Sequence, residues 1–245
     1  MQVGVVGASG RMGTAICAAV AAADGLELSA EVGSGDSLEA LSGCDVVVDV
    51  TRPDVVLDTV RWCVRHEVHV VVGTSGMDGA RLAEVRRLLG EAPAVGVLVA
   101  PNFSLGAVLA MRFAAKAARY FESVEIVETH HPEKVDAPSG TARRTAELVS
   151  EARSAAGSGP IADATTHDPD GARGARIAGV PVHARRVRGV TAAQEVLFGS
   201  AGETLSISHE TSGRDAYMPG VLLAVRAVPS LPGLTVGLDS VLGLD

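Results

Sequence analysis

The 245-residue chain predicts an α/β protein. The expected fold is a doubly wound parallel sheet at the N-terminal end, followed by a smaller α+β domain with a mixed sheet. Three observations lead there. Through about residue 100, short and almost wholly apolar runs alternate with helical patterns. A glycine-rich turn separates the first run from the first helical pattern. After Asn102 the texture changes to one long amphipathic stretch followed by clustered strands.

Val3–Val6, Leu28–Val32, Val46–Val50, Val68–Val72 and Val95–Val99 read as strands of a parallel sheet covered on both faces. Helical patterns lie between them near 11–23, 53–66 and 78–90. The second of these opens T-R-P-D. Pro53 is expected at its first helical position, and Asp54 in its first turn, where the helix dipole favours an anion. Strand, helix and strand at this spacing imply right-handed crossovers. Leu105–Phe121 then reads as an amphipathic helix and Val124–Glu128 as a strand. A helix follows at 141–155, a Gly/Pro/Asp-rich loop at 157–180, and strands at 194–198 and 204–209. In the tail, Gly220–Val228 is helix-like and Leu234–Leu244 is apolar, as expected of a segment that returns to the first domain. The expected division is therefore 1–103 with 218–245 for one domain, and 104–217 for the other.

Only 3% of residues are aromatic, so the core is built from Val, Ala and Leu. No apolar run reaches membrane-spanning length, and Met1 leads straight into a strand-like run without a secretory signal. The net charge of -8 with no basic block argues against a nucleic-acid partner. Cys17, Cys44 and Cys63 are far apart and read as small buried hydrophobes in a reducing compartment. The expectation is a cytoplasmic chain with neither membrane nor nucleic acid as partner.

The chain opens V-G-V-V-G-A-S-G-R-M-G, placing Gly7, Gly10 and Gly13 between the first strand and the first helix. Glycines there let the backbone approach a pyrophosphate, whose charge the helix N-terminus stabilises. The expected first domain is thus Rossmann-like and binds a dinucleotide. The acid that usually meets the adenosine ribose falls, by count, on Gly33. Nothing there repels a 2′-phosphate and Arg11 would attract one, while Glu31 and Asp36 stand close enough to serve a ribose. NADH and NADPH are both admissible. The loops G-T-S-G (Gly73–Gly76) and A-P-N-F (Ala100–Phe103) follow the fourth and fifth strands, where ligands of such sheets bind. By spacing alone they read equally as ordinary βα turns.

The stretch E-T-H-H-P-E-K-V-D-A-P-S-G-T-A carries the acid–base chemistry. Glu128 ends the predicted strand, so His130 and His131 are expected to project from its carboxyl end, with Lys134 close behind. His is a natural general acid near neutral pH, and Lys donates a proton or holds an anion. Ser139 is a good N-cap, and the N–H groups of Gly140 and Thr141 would then form a carboxylate cradle at a helix start. Adjacent histidines point apart and H-E-x-x-H is absent, so no metal is expected.

With these motifs in place, the sequence resembles the dihydrodipicolinate reductases. D-V-T-R-P, Q-E-V-L-F-G, G-E-T-L-S-I-S-H and P-G-V-L-L-A-V-R agree in order with the stretches quoted above, and the likeness covers essentially the whole chain. The resemblance implies a cofactor domain and a substrate domain, and a homotetramer built through the substrate-domain sheets. It also implies NADH- or NADPH-dependent reduction of 4-hydroxy-tetrahydrodipicolinate, a dicarboxylate, in lysine and diaminopimelate biosynthesis. Under it, His130 and Lys134 are catalytic, and His131, Gly140 and Thr141 bind the substrate. The cofactor contacts are Gly7, Ala8, Ser9, Gly10, Arg11 and Met12 of the first turn, Gly73, Thr74 and Ser75, and Ala100, Pro101, Asn102 and Phe103. Four positions depart from the family pattern: Gly33 replaces an acid, Glu133 a histidine, and Val50 and Tyr217 each a phenylalanine. The rival readings are a reductase of another small imine or keto acid, and a nicotinamide-binding regulator that does not catalyse.

Overall fold

The computed structural model describes residues 1–244. They form two compact units, one of residues 1–105 with 214–244 and one of Gly106–Gly213.

In the first unit, β1 (Gln2–Val6), β2 (Glu27–Val32), β3 (Val46–Asp49), β4 (His69–Val72), β5 (Gly96–Val99) and the chain-final β11 (Gly233–Val236) form a sheet. The order is β11-β5-β4-β3-β1-β2 and every pairing is parallel. All four residues of β3 and of β5 are buried. Successive side chains of a strand point to opposite faces, so both faces of the sheet are covered. Helices α1 (Arg11–Ala22) and α6 (Met218–Ala227) pack together, as do α2 (Val56–Arg65) and α3 (Gly79–Leu89). The strand order reverses between β1 and β3, the place where open α/β sheets bind ligands at their carboxyl ends.

The sequence reading needs correction at the second helix. Pro53 and Asp54 lie in a turn, α2 begins only at Val56, and Val55 caps it without a side-chain hydrogen bond. The third helix does start where expected, because Asp78 accepts a hydrogen bond from the Arg81 N–H. The apolar tail contributes β11, which pairs with β5 through Gly233↔Gly96 to Val236↔Val99.

The second unit contains α4 (Leu105–Ala118) apart from its first residue. It continues with β6 (Ser123–His130), α5 (Gly140–Ala155), β7 (Ala175–Ile177), β8 (Val180–Arg186), β9 (Ala192–Ser200) and β10 (Glu203–Thr211). The sheet order is β10-β9-β6-β8-β7, and the only parallel pairing in it is β6 with β8. One face carries Val124, Ile126, Val182, Val196 and Phe198, which pack with Ala114 and Ala118 of α4 and Ala142, Ala146 and Val149 of α5. Burying each such valine or phenylalanine contributes about 1.5–3 kcal/mol.

The stretch expected as a loop over 157–180 in fact ends in β7 and the first residue of β8. These strands were hidden because Gly174 and Pro181 read as breakers. Between them Ala178 and Gly179 both adopt positive φ, 49° and 85°, as the centre of a tight two-residue hairpin requires. Among the described residues no helix is long and apolar enough to cross a membrane.

Candidate active site

In the first unit, the residues singled out as cofactor contacts all lie at the carboxyl ends of strands. Gly7, Ala8, Ser9 and Gly10 form the turn after β1, and Arg11 and Met12 begin α1. Gly7 has φ +88°, and a Cβ on it would come within 2.8 Å of the Val50 carbonyl oxygen beyond β3. A Cβ on Gly13 would stand 2.0 Å from the Gly7 oxygen, so only glycine lets α1 start this close to the strand end. Gly10 caps α1 without any side-chain hydrogen bond. The turn therefore presents backbone, not side chains, at the helix N-terminus, as a pyrophosphate site needs.

Gly73, Thr74 and Ser75 follow β4, and Ala100, Pro101, Asn102 and Phe103 follow β5. These two loops touch: a Cβ on Gly73 would lie 2.4 Å from the Phe103 ring. Asp49, at the end of β3, is wholly buried and ties the loop after β4 to the turn after β3. Its Oδ1 accepts from the Thr51 N–H at 3.1 Å, the Thr51 hydroxyl at 2.8 Å and the Thr74 hydroxyl at 2.6 Å. Its Oδ2 is buried without a hydrogen-bond partner. The signal for Asp49 was visible in V-V-V-D, an acid ending an otherwise apolar buried run. At the end of β2, the Asp36 carboxylate turns back to accept the Gly33 N–H at 2.8 Å. An acid thus reaches the position where residue 33 itself has no side chain.

In the second unit, β6 runs through His130 rather than ending at Glu128. His130 is therefore the last strand residue, and only His131 opens the loop. Glu128 and His130, two residues apart, point to the same face, the one α5 covers. Glu128 is wholly buried, and its Oε2 meets His130 Nδ1 at 2.6 Å. Arg186, at the end of β8, grips both oxygens, Nη1 to Oε2 at 2.9 Å and Nη2 to Oε1 at 3.0 Å. The Ser139 N–H donates to Oε1 at 3.1 Å. Ser139 caps α5, its hydroxyl accepting the Ala142 N–H at 3.2 Å. Gly140 and Thr141 are thereby the first residues of a sixteen-residue helix, and a Cβ on Gly140 would meet nothing within 4 Å. The peptide bond Ala137–Pro138 is cis. Lys134 is held by Asp136, Nζ to Oδ1 at 2.7 Å. His131 is half-exposed, 3.9 Å from Glu133 Oε2.

Burial lowers the pKa of His130 against the opposing pull of Glu128, and the charges of Lys134 and Arg186 lower it further. Its ring is thus biased towards the neutral form. Burial would raise the pKa of Glu128, but the hydrogen bonds from Arg186 and His130 outweigh it and hold the carboxyl below its usual range. The hydrogen bond from Lys134 likewise lowers the pKa of Asp136. Sequence reading missed Arg186, whose partner lies 58 residues away. Among the described residues no group of three or more His, Cys, Asp or Glu side chains is placed to hold a metal ion.

Comparison with known proteins shows the family. A family model described as dihydrodipicolinate reductase, N-terminus, matches residues 1–103, and one described as dihydrodipicolinate reductase, C-terminus, matches residues 106–242. The chain belongs to the dihydrodipicolinate reductase family. A 4-hydroxy-tetrahydrodipicolinate reductase from Nocardia farcinica is 59% identical over 246 residues, covering 100% of this chain and 99% of the relative. Another, from Thermobifida fusca, is 59% identical over 245 residues and matches end to end. The solved structure of dipicolinate-bound dihydrodipicolinate reductase from Paenisporosarcina sp. TG-14 has a TM-score of 0.85 and 32% identity, covering 98% of each chain. An amine dehydrogenase from Mycobacterium smegmatis shares the fold alone, with a TM-score of 0.60 at 14% identity over 96% of this chain and 94% of its own. The dihydrodipicolinate reductases are NAD(P)H-dependent oxidoreductases, and the α/β fold with a parallel and a mixed sheet is the one the sequence predicted.

Proposed function

We propose that this chain reduces 4-hydroxy-tetrahydrodipicolinate, by way of its dehydrated form, to tetrahydrodipicolinate, with His130 and Lys134 managing protons. Full-length likeness to reductases of that name supports the reaction, as does a dipicolinate-bound relative. The observation that carries the assignment of residues is the cluster in which Glu128 orients His130 while Asp136 holds Lys134.

The residues that would hold the cofactor are Gly7 to Met12, Gly73 to Ser75 and Ala100 to Phe103. A reduced nicotinamide bound there would supply hydride to the carbon–carbon double bond conjugated with the ring C=N, which tetrahydrodipicolinate retains. The ring then needs a proton, and general acid catalysis of such a step is worth about 10²–10⁴-fold. Lys134 carries that proton at Nζ. His130, neutral with Nδ1 directed at Glu128, takes up a proton at its other ring nitrogen when two substrate carboxylates bring negative charge beside it. That proton replaces the one Lys134 gives to the substrate ring. The N-terminal end of α5, with Gly140 and Thr141, and the half-exposed His131 provide donors and positive potential for a carboxylate.

Cofactor choice follows from Gly33, Asp36 and Arg11. The Asp36 carboxylate supports a contact to ribose hydroxyls, and Arg11, exposed at the turn, supports a 2′-phosphate. Both cofactors are therefore accepted. A homotetramer is proposed through the second unit's sheet, where Leu197 is 44% exposed on the face opposite the helices. Light scattering on the purified protein tests it.

The functional test is a coupled assay in which the substrate is made in situ from pyruvate and aspartate semialdehyde by a synthase. Substrate-dependent oxidation of NADH and NADPH, followed separately, supports the proposal. Cofactor binding without oxidation of either would overturn it.

A further inference from the structure

The proton chemistry assigned to His130 leaves two charged neighbours unexplained, Glu128 and Arg186. An ionised carboxylate is tolerated at full burial only when it is paired and its lone pairs are occupied. Glu128 meets that condition with four contacts: two from Arg186 at 2.9 and 3.0 Å, one from the Ser139 N–H at 3.1 Å, and His130 Nδ1 at 2.6 Å. A well-packed apolar pair would hold the sheet to the helix at least as well, so stability alone does not account for these charges.

An ionised carboxylate only accepts hydrogen bonds, so the hydrogen between Glu128 and His130 sits on Nδ1. Nε2 is then the nitrogen with which the neutral ring accepts a proton. The same carboxylate reaches the other parts of the cluster. The Arg186 guanidinium also donates to the Asp136 carbonyl at 2.6 Å, and the Asp136 carboxylate holds Lys134. Ser139, the other donor to Glu128, is the cap of α5.

We infer that Glu128, clamped by Arg186, is a positioning residue that fixes His130 in its Nδ1–H tautomer and sets His130, Lys134 and the start of α5 in one arrangement. This rests on the proton role proposed for His130.

The charged and titratable groups around His130 are Glu128 on its own strand, Arg186 on β8, and His131, Glu133, Lys134 and Asp136 on the following loop. Of these, Glu128 is the one that raises the proton affinity of the ring, while burial, Lys134 and Arg186 lower it. Removing its charge therefore moves the His130 limb of a pH–rate profile to lower pH.

Three measurements test the inference. Nitrogen-15 correlation spectra of the native protein should show His130 as the Nδ1–H tautomer. Glu128→Gln, of nearly the same shape, should lower kcat about 10- to 100-fold and shift the His130 limb downward, while KM and cofactor affinity change less than about 3-fold. In a His130→Gln background the Glu128→Gln change should lower turnover much less than it does in the native background, because the positioned ring is already gone and only the placement of Lys134 and α5 is left to lose. If Glu128→Gln does not fold, Arg186→Lys keeps the charge, loses the two-pronged grip and should give the same pattern more weakly.

An Nε2–H tautomer in the native protein, an unshifted pH limb, or equal losses in both backgrounds would overturn the inference. Native turnover in His130→Gln alone would overturn the proton role beneath it, so the two failures are told apart.

Discussion

The Thr74 hydroxyl, in the loop after β4, donates to the wholly buried Asp49 carboxylate at the end of β3 at 2.6 Å. This bond ties a loop proposed to hold the cofactor to the end of β3. The other Asp49 oxygen is buried without a partner, so all of the carboxylate's hydrogen bonds fall on Oδ1. Thr74→Val should lower stability by about 1–3 kcal/mol, the cost of removing one of three donors from a buried carboxylate oxygen. It should also weaken dinucleotide binding. Denaturant titration and cofactor fluorescence check both, and an unchanged midpoint would show that Thr74 is not the tie.

Arg153 presents a different buried charge. Its guanidinium, near the end of α5, donates to the carbonyls of Ala118 at 3.4 Å, Phe121 at 2.5 Å, Glu122 at 3.1 Å and Gly159 at 3.0 Å. It thereby fastens the carboxyl end of α4 and the start of the long loop to α5. Arg153→Ala should cost about 2–4 kcal/mol, because several carbonyls lose their donor together. Urea unfolding measures it, and a change below about 0.5 kcal/mol, the range of an inert surface substitution, would contradict the role.

Acid should destabilise the fold in two stages. The folded-state pKa values of His69, His130 and His209 lie below the ordinary 6.5, chiefly through burial. Below 6.5 the unfolded chain binds more protons than the folded one, so stability falls as pH drops from there towards the folded values. Glu125 and Glu128 are lowered from 4.5, and Asp136 from 3.8, because their hydrogen bonds to cations outweigh burial, which raises all three. Their contribution is complete above those ordinary values and is lost as pH falls through the lower folded ones. Unfolding free energy measured from pH 7.5 downward should show both declines, within pH steps of about one unit. A flat profile to pH 4 would refute the assignment.

Asp36 should tilt cofactor choice. Asp36→Ala should weaken NADH binding about 3- to 10-fold, the worth of one or two net hydrogen bonds. NADPH binding should stay equal or improve, since a negative charge is removed. Equal weakening of both would mean that Asp36 serves only the loop.

Much of this was legible in the sequence. The valine runs of β3, β4 and β5 admitted little but buried parallel strands, and G-A-S-G-R-M-G announced the turn at Gly7. The E-T-H spacing, once β6 is carried to His130, places Glu128 beside the ring. Other features depend on partners distant in the chain. Arg186 joins Glu128 only because β8 lies parallel to β6, and β8 was concealed behind Pro181. The late start of α2 depends on Pro53 and Asp54 closing a turn, although the same residues read locally as a good helix opening.

The proton role of Lys134 is tested most directly by Lys134→Ala under saturating cofactor and freshly generated 4-hydroxy-tetrahydrodipicolinate. The account predicts a folded protein with native cofactor affinity and turnover lowered by about 10²-fold or more, as for loss of a general acid. Turnover equal to that of the native chain would contradict it.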